Sequence, residues 1–134
     1  MRPLFPCLLS ILLLTFSCRE PSSSERFIQG SGPYAFTVDM RDSSARYDLD
    51  IFTRIDAREW PSDLQIQATW TSPSQSVFRE SVWLPLSAEV YAPYRADMQP
   101  SEAGVWTLVF TIPSPPEGFR GLGLVIKKKW DTEN

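Results

Sequence analysis

The sequence predicts an all-β protein, an antiparallel β-sandwich of immunoglobulin-like size with roughly six to seven strands. Two observations lead to this prediction. From Tyr34 onward, apolar and polar residues alternate with a period of two, and short segments rich in Pro, Ser, Asp and Gly separate the alternating runs. No helical stripe competes with this pattern, since the nearest candidate, residues 87–94, is interrupted by Pro93.

The runs define the individual strands. The first three alternate cleanly, as half-buried antiparallel strands do, and the later ones are less regular. The predicted strands are residues 34–40, 47–55, 64–70, 78–86, 105–112 and 122–126, with an additional short strand near 90–95. The run at 105–112 is apolar on both faces, which predicts a central strand. Gly121 and Gly123 lie inside the last run, where glycine favours a bulge or close packing.

The same alternation predicts which side chains form the core. Residues in the apolar phase are expected to be buried, namely Leu49, Ile51, Trp70, Trp106, Leu108 and Phe110. Residues in the opposite phase are expected to face water, namely Asp48, Asp50, Gln65 and Gln67.

Composition limits the classes of function. The chain has 134 residues, enough for a single domain with its own core, and a formal net charge of −3. Mild acidity argues against nucleic acid or an anionic membrane surface as the main partner. Histidine is absent, which removes the commonest general base and the commonest zinc ligand.

No catalytic constellation is visible, so we expect a protein that is not an enzyme and has no cofactor. There is no Ser-x-x-Lys motif and no Gly-rich phosphate loop. Asp48 and Asp50 share one face of a strand, where paired carboxylates can bind calcium or hydrolyse glycosides. We interpret them instead as a solvated face that discourages aggregation, and predict no metal site.

The N-terminus has the layout of an export signal. Arg2 precedes an apolar run at residues 8–16, which is too short to span a bilayer as a helix. The run closes on Ser17-Cys18, which resembles the lipobox of bacterial lipoproteins in the looser form common in Bacteroidetes. No apolar stretch precedes the other cysteine, Cys7.

These features predict the organisation of the chain. We expect a lipoprotein signal peptide at residues 1–17, lipidated Cys18 with a flexible tether at 18–30, a β-sandwich at 31–130 and a tail at 131–134. Diacylglycerol and palmitate on Cys18 would hold the protein in a membrane. Because Arg19 follows the cysteine, not an aspartate of the kind that retains lipoproteins in the inner membrane, we expect the outer membrane. Residues 19–22 lack a clear acidic surface-export signal, so we expect its periplasmic face.

Aromatic residues outside the apolar phase are the candidate binding residues. Trp and Tyr can stack on sugar rings or anchor a protein interface. The candidates for ligand or partner contact are Trp60, Trp83, Tyr91 and Tyr94.

Three short motifs resemble those of the gliding-motility lipoprotein family (GldH type). Residues 46–54, Arg-Tyr-Asp-Leu-Asp-Ile-Phe-Thr-Arg, are similar to one family strand, and Trp60-Pro61-Ser62-Asp63-Leu64 to the segment after it. Residues 119–126 partly match the family's closing pattern. The resemblance implies an accessory role in an envelope machinery, without known catalysis.

Together these observations predict a non-enzymatic, lipid-anchored envelope protein that is an accessory or assembly component of a cell-envelope machinery. Its expected partners are the membrane, through lipid on Cys18, and envelope proteins, with no nucleic acid. The alternative is a carbohydrate- or peptidoglycan-binding module that presents its exposed aromatic residues to a glycan.

Overall fold

The computed structural model describes residues 22–56, 61–85 and 91–130. None of these residues is helical, so none lies in a helix that could cross a membrane. The predicted signal peptide at residues 1–17, Cys18 and the predicted tail at 131–134 lie outside the described residues.

The described residues form eight strands in two four-stranded antiparallel sheets. The strands are β1 (Ser22–Gln29), β2 (Tyr34–Met40), β3 (Arg46–Ile55), β4 (Asp63–Thr71), β5 (Val77–Pro85), β6 (Tyr91–Met98), β7 (Gly104–Thr111) and β8 (Phe119–Lys129). The predicted antiparallel β-sandwich is thus confirmed. The predicted strand count was too low, because β1 was not recognised.

Strand order defines the topology. Sheet 1 has the order β1-β8-β3-β6, and sheet 2 has the order β2-β7-β4-β5. The chain passes from one sheet to the other at every connection except the β4–β5 hairpin, and the resulting order is that of a jelly roll. Four edge strands result, with β1 beside β2 on one side of the sandwich and β5 beside β6 on the other.

The core lies between the two sheets and follows the alternation in the sequence. Leu49, Ile51, Leu108 and Phe110 are all buried, as predicted. β7 lies between β2 and β4, which confirms that it is a central strand. Trp70 is also buried, whereas Trp106 is half-buried and packs against the core cluster.

Residues 22–29, which the sequence analysis assigns to a flexible tether, form β1 instead. The whole strand pairs with β8, and Ile28, Arg26 and Ser24 lie opposite Leu122, Leu124 and Ile126. Since Leu122 and Leu124 belong to the core, the inward positions of β1 include a serine and an arginine. These polar residues leave β1 without the alternation that marks the other strands.

Candidate functional site

Two of the predicted binding residues, Trp83 and Tyr91, are exposed. Trp83 is 62% exposed and projects from the outer face of β5 in sheet 2, and Tyr91 is 44% exposed at the start of β6 in sheet 1. The two rings therefore lie on opposite faces of the sandwich and do not form one site. Trp60 lies outside the described residues.

Tyr94 is not an exposed contact residue, so that prediction is wrong. It is only 8% exposed, and its ring stacks on Trp70 with centroids 6.3 Å apart. Its hydroxyl accepts a hydrogen bond from Trp70 Nε1 at 2.9 Å and donates one to Glu80. Tyr94 thus joins the core to the edge of the sandwich where β5 and β6 meet.

Three of the four edge strands, β1, β2 and β5, pair with their neighbours without a register shift, and β5 is the longest of them. β5 has nine residues, and all of them pair with β4 without a register shift. Its other side has no strand partner in sheet 2. By contrast, the edge strand β6 carries Pro93 and shifts register against β3. Long regular edges are uncommon in monomers because they can pair with another chain.

β5 also carries an exposed apolar surface. Within the described ranges, the large hydrophobic residues that are exposed are Val77, Phe78, Trp83, Tyr91 and Val105, and the first three lie on β5. Val77 is 53% exposed and Phe78 is 55% exposed. We call Val77, Phe78 and Trp83 with the free edge of their strand the β5 edge. Apolar exposure on an unpaired strand indicates a surface for association.

A groove of ≈ 470 Å³ lies next to the first residues of β5. Its apolar walls include Phe78, Met98 and the rings of Trp70 and Trp106, which meet edge to face at 5.9 Å. Both indole N–H groups are already used, since Trp106 Nε1 donates to the Glu102 carbonyl at 2.9 Å and Trp70 donates to Tyr94. The two indoles therefore contribute ring surface to the groove and no hydrogen-bond donor.

A network of charged hydrogen bonds links β5 to β6 beside this groove. Glu80 on β5 accepts hydrogen bonds from Tyr94 and Arg95 on β6. Burial acts to raise the pKa of Glu80, but the hydrogen bonds from Arg95 and Tyr94 outweigh it and hold that pKa below its ordinary value. Burial and the hydrogen bond to Glu80 raise the pKa of Tyr94 far above its usual range, so its hydroxyl stays protonated.

We expect Glu80→Gln to lower the free energy of unfolding at pH 7 by about 1 to 2 kcal/mol, because a charged hydrogen bond is lost. Since the folded protein lowers the pKa of Glu80 below 4.5, this stabilisation is present above about pH 4.5 and is lost as pH falls through the folded pKa. Denaturant melts at pH 7 and pH 3 measure it, and the difference between wild type and variant should shrink at pH 3.

The matched control is Asp63→Asn, which neutralises an exposed carboxylate on β4. We expect that variant to change stability by less than about 0.5 kcal/mol at pH 7. An equal loss in both variants would mean that net charge matters and the Glu80 network does not.

The outer face of sheet 2 is polar but largely uncharged. A depression of ≈ 400 Å³ on this face is lined by residues that include Gln67, Thr69, Ser81 and Thr111, together with Arg79. Trp83 stands beside it, opposite Gln65 in the β4–β5 register. Amide and hydroxyl groups next to an exposed indole form the chemical combination that recognises sugars, whose hydroxyls need hydrogen bonds and whose apolar faces stack on aromatic rings.

Asp48 and Asp50 were expected to be solvated. They lie on the outer face of sheet 1, but both are half-buried. Asp48 accepts the backbone N–H of Asp97 at 2.7 Å and lies 3.0 Å from Lys129 Nζ. Asp50 lies 3.2 Å from Lys127 Nζ. Burial acts to raise the pKa of Asp48, but the hydrogen bonds from Asp97 and Lys129 lower it overall.

No group of three His, Cys, Asp or Glu side chains that could hold a metal ion occurs in the part of the chain that the structure describes. Asp48 and Asp50 are each paired with a lysine of β8. The two aspartates therefore link β3 to β8 through their side chains.

The two aspartates should differ in their contribution to stability. We expect Asp48→Ala to cost about 1 to 2 kcal/mol, because it leaves the backbone N–H of Asp97 without its acceptor. Asp50→Ala should cost about 0.5 kcal/mol or less, since its partner Lys127 is 53% exposed and such pairs contribute little. Denaturant melts of both variants test this, and a larger loss for Asp50→Ala would contradict it.

Tyr91 belongs to an aromatic row on the outer face of sheet 1. Its ring packs edge to face on Phe52 at 5.4 Å, and Phe52 stacks on Phe27 of β1 at 5.8 Å. The Tyr91 hydroxyl donates to Glu25 at 3.3 Å. Tyr91 thus covers the buried side chain of Phe52, and part of the Tyr91 ring is used in this contact.

No protein-family model, curated protein or solved structure matches the chain. The β5 edge is therefore identified from its geometry alone.

Of the residues of the β5 edge, the sequence indicated Trp83 but not Val77 or Phe78. Phe78 shares the phase of the core, and only its position at the end of an edge strand exposes it.

Proposed function

We propose that the protein is a non-enzymatic accessory or assembly component of a bacterial cell envelope that acts by strand pairing at the β5 edge. The β5 edge is the observation that carries this proposal. Along this nine-residue strand, alternate residues direct their backbone groups away from β4 and offer them to an incoming strand, and the strand's one proline, Pro85, is its last residue. Val77, Phe78 and Trp83 add apolar surface, whose burial would favour the pairing at about 25 cal/mol per Å².

Membrane attachment is the second part of the proposal. Lipid on Cys18 would hold the sandwich at the periplasmic face of the outer membrane, with the accessory role that the resemblance to gliding-motility lipoproteins suggests. We expect Cys18→Ala to abolish palmitate labelling and to release the protein from membranes. Continued labelling of this variant would exclude the anchor. Ser17→Ala, which leaves the cysteine in place, is the matched control and should remain labelled.

Photo-crosslinking in intact envelopes tests the β5 edge. A photoreactive side chain at Ser81, at the middle of β5, should trap a partner, whereas one at Thr37 on the opposite edge strand β2 should not. Both positions are exposed. Adding Phe78→Ser should reduce trapping at Ser81. Equal trapping at both positions, or trapping that Phe78→Ser leaves unchanged, would contradict the proposal.

Glycan binding is the second candidate function. The depression lined by Gln67, Thr69 and Ser81, with Trp83 beside it, favours this candidate over any catalytic role. Peptidoglycan or a polysaccharide bound there should change tryptophan fluorescence, and Trp83→Phe should remove most of that change. A change that survives Trp83→Phe would move the ligand to another part of the surface.

A further inference from the structure

We infer that the strand that pairs with β5 is β5 of a second copy, so that two sandwiches join into one continuous eight-stranded antiparallel sheet. This inference rests on the proposed function, since it names the partner of the β5 edge. The resulting dimer has two-fold symmetry, the commonest arrangement of soluble homo-oligomers. The sequence of β5 itself supports the choice, because the strand is complementary to its own reverse.

Symmetry restricts the possible registers. In an antiparallel pair, directly opposite residues project from the same face of the sheet. A two-fold axis perpendicular to the sheet keeps the outer face outward in both copies. Outward residues of β5, which carry odd numbers, therefore face outward residues of the partner, and the even-numbered inward residues face inward ones. Along the strand, the axis must therefore lie level with one residue, which then faces its own copy, and not level with the midpoint between two residues.

Charge then selects among these registers. An axis through Arg79 would place two guanidinium groups opposite each other, and an axis through Glu80 would do the same with two carboxylates. Like charges directly opposite are destabilising. An axis through Ser81 avoids both conflicts and keeps all nine residues of β5 within the paired segment.

The register centred on Ser81 also pairs groups that attract. It places the Arg79 guanidinium opposite Trp83 of the partner subunit on the outer face, where a cation–π contact can form, and symmetry supplies that contact twice. On the inner face it places Phe78 opposite the partner's Leu84. Arg79, Phe78 and Trp83 are all exposed in the single copy, so each has surface to bury.

The other edge on this side of the sandwich does not offer the same fit. The proline of β5, Pro85, is the last residue of its strand, whereas Pro93 lies inside β6 and removes a backbone N–H there. The register of β6 against β3 also shifts twice. Glu80 on β5 and Arg95 on β6 link the two edge strands at one point. Of these two strands, β5 has the regular backbone that an incoming strand needs.

Cysteine crosslinking of the full-length protein in membranes tests the register. Ser81→Cys places two thiols across the axis at about 4.5 to 5.5 Å between Cα atoms, within the range of a disulfide. Arg79→Cys, on the same strand and face, places its two thiols about 14 Å apart, too far to bond. We expect disulfide dimers at least about tenfold more abundant for Ser81→Cys under mild oxidation. Mixed Arg79→Cys and Trp83→Cys chains should crosslink to each other.

A pair of charge variants provides an independent test of association. In detergent-solubilised full-length protein, Trp83→Glu should preserve the dimer, because its carboxylate faces the partner's Arg79. Trp83→Arg should weaken the dimer by at least about tenfold, because it faces a like charge. Equal effects of the two variants, or equal crosslinking at positions 79 and 81, would overturn the inference.

The two proposals can fail separately. If Ser81→Cys forms no dimer while a photoreactive group at Ser81 traps a different envelope protein, the second copy is excluded and the β5 edge remains an assembly surface. If neither experiment captures anything, both proposals are excluded.

Discussion

Replacing Phe110 with alanine is expected to lower the free energy of unfolding by about 3 to 5 kcal/mol. Phe110 is fully buried near the end of β7, between Tyr34 of β2 and Ala68 of β4 in the strand register. Its ring meets Phe36 at 6.0 Å and Tyr94 at 5.4 Å, both edge to face. The contacts come from both sheets, so the cavity left by truncation cannot close by the movement of a single strand.

The control for this prediction is the neighbouring residue. Val109→Ala also shortens an apolar side chain of β7, but Val109 is half-buried on the outer face. We expect that variant to lose about 1 kcal/mol or less. Denaturant melts compare the two, and similar losses would mean that the two faces of β7 are not the inside and outside of the sandwich.

The regular strands were predictable because burial on one face imposes a period of two. Residues 34–40 illustrate this, since all four apolar positions of β2 are buried and the three residues between them are exposed. The additional strand near 90–95 was also located, and it forms the start of β6. Sandwich architecture follows from such runs, but strand order does not. Nothing in the alternation indicates that β3 pairs with β6 and β8 while β4 joins the other sheet.

β1 shows why one strand was missed. Its order comes from pairing with β8 along all eight residues, not from a buried face of its own. Ser22, Ser24 and Arg26 occupy inward positions at the open side of the sandwich, where polar residues reach solvent. A strand that depends on its neighbour leaves little local signal in the sequence.

The candidate site was only partly predictable for the same reason. Trp83 was found because it breaks the phase of its strand. Phe78 keeps the phase of the core and is exposed only because no strand follows β5 in sheet 2. Tyr94 was misassigned because the sequence does not reveal Trp70 and Glu80 as its partners across the sandwich. Strand edges and cross-sheet contacts depend on the order of the strands in the sheets, which the alternation of apolar and polar residues does not determine.

Lysines at the end of β8 make the same point for charge. Their charges are plain in the sequence, but their pairing with Asp42, Asp48 and Asp50 depends on the β3–β8 register. Lys129 also pairs with Asp97, so four carboxylates share three lysines on this surface. Local sequence therefore supplied the charges but not their partners.

Gly121→Ala is expected to destabilise the protein by about 3 kcal/mol, the second large effect. Glycine inside this strand predicted a bulge or close packing, and both occur at Gly121. The β3–β8 register shifts between Gly121 and Phe119, and a Cβ built on Gly121 would overlap the backbone carbonyl oxygen of Ile28. Because that oxygen belongs to the β1 backbone, it can move only if the β1–β8 pairing is disturbed.

Gly123→Ala is the matched comparison, since it adds the same methyl group two residues further along the same face. A Cβ at Gly123 would overlap the ring of Phe52, a side chain that can yield more cheaply than a backbone. We expect a loss of about 1 kcal/mol for this variant, and a smaller one when Phe52→Ala is already present, because the obstacle is then gone. Gly121→Ala should keep its full cost in the Phe52→Ala background. Denaturant melts of the two glycine variants, each with and without Phe52→Ala, decide the matter. A smaller loss of stability for Gly121→Ala in the Phe52→Ala background would contradict this explanation. It would mean that the close approach of the β1 backbone to β8 is not the reason for glycine at position 121.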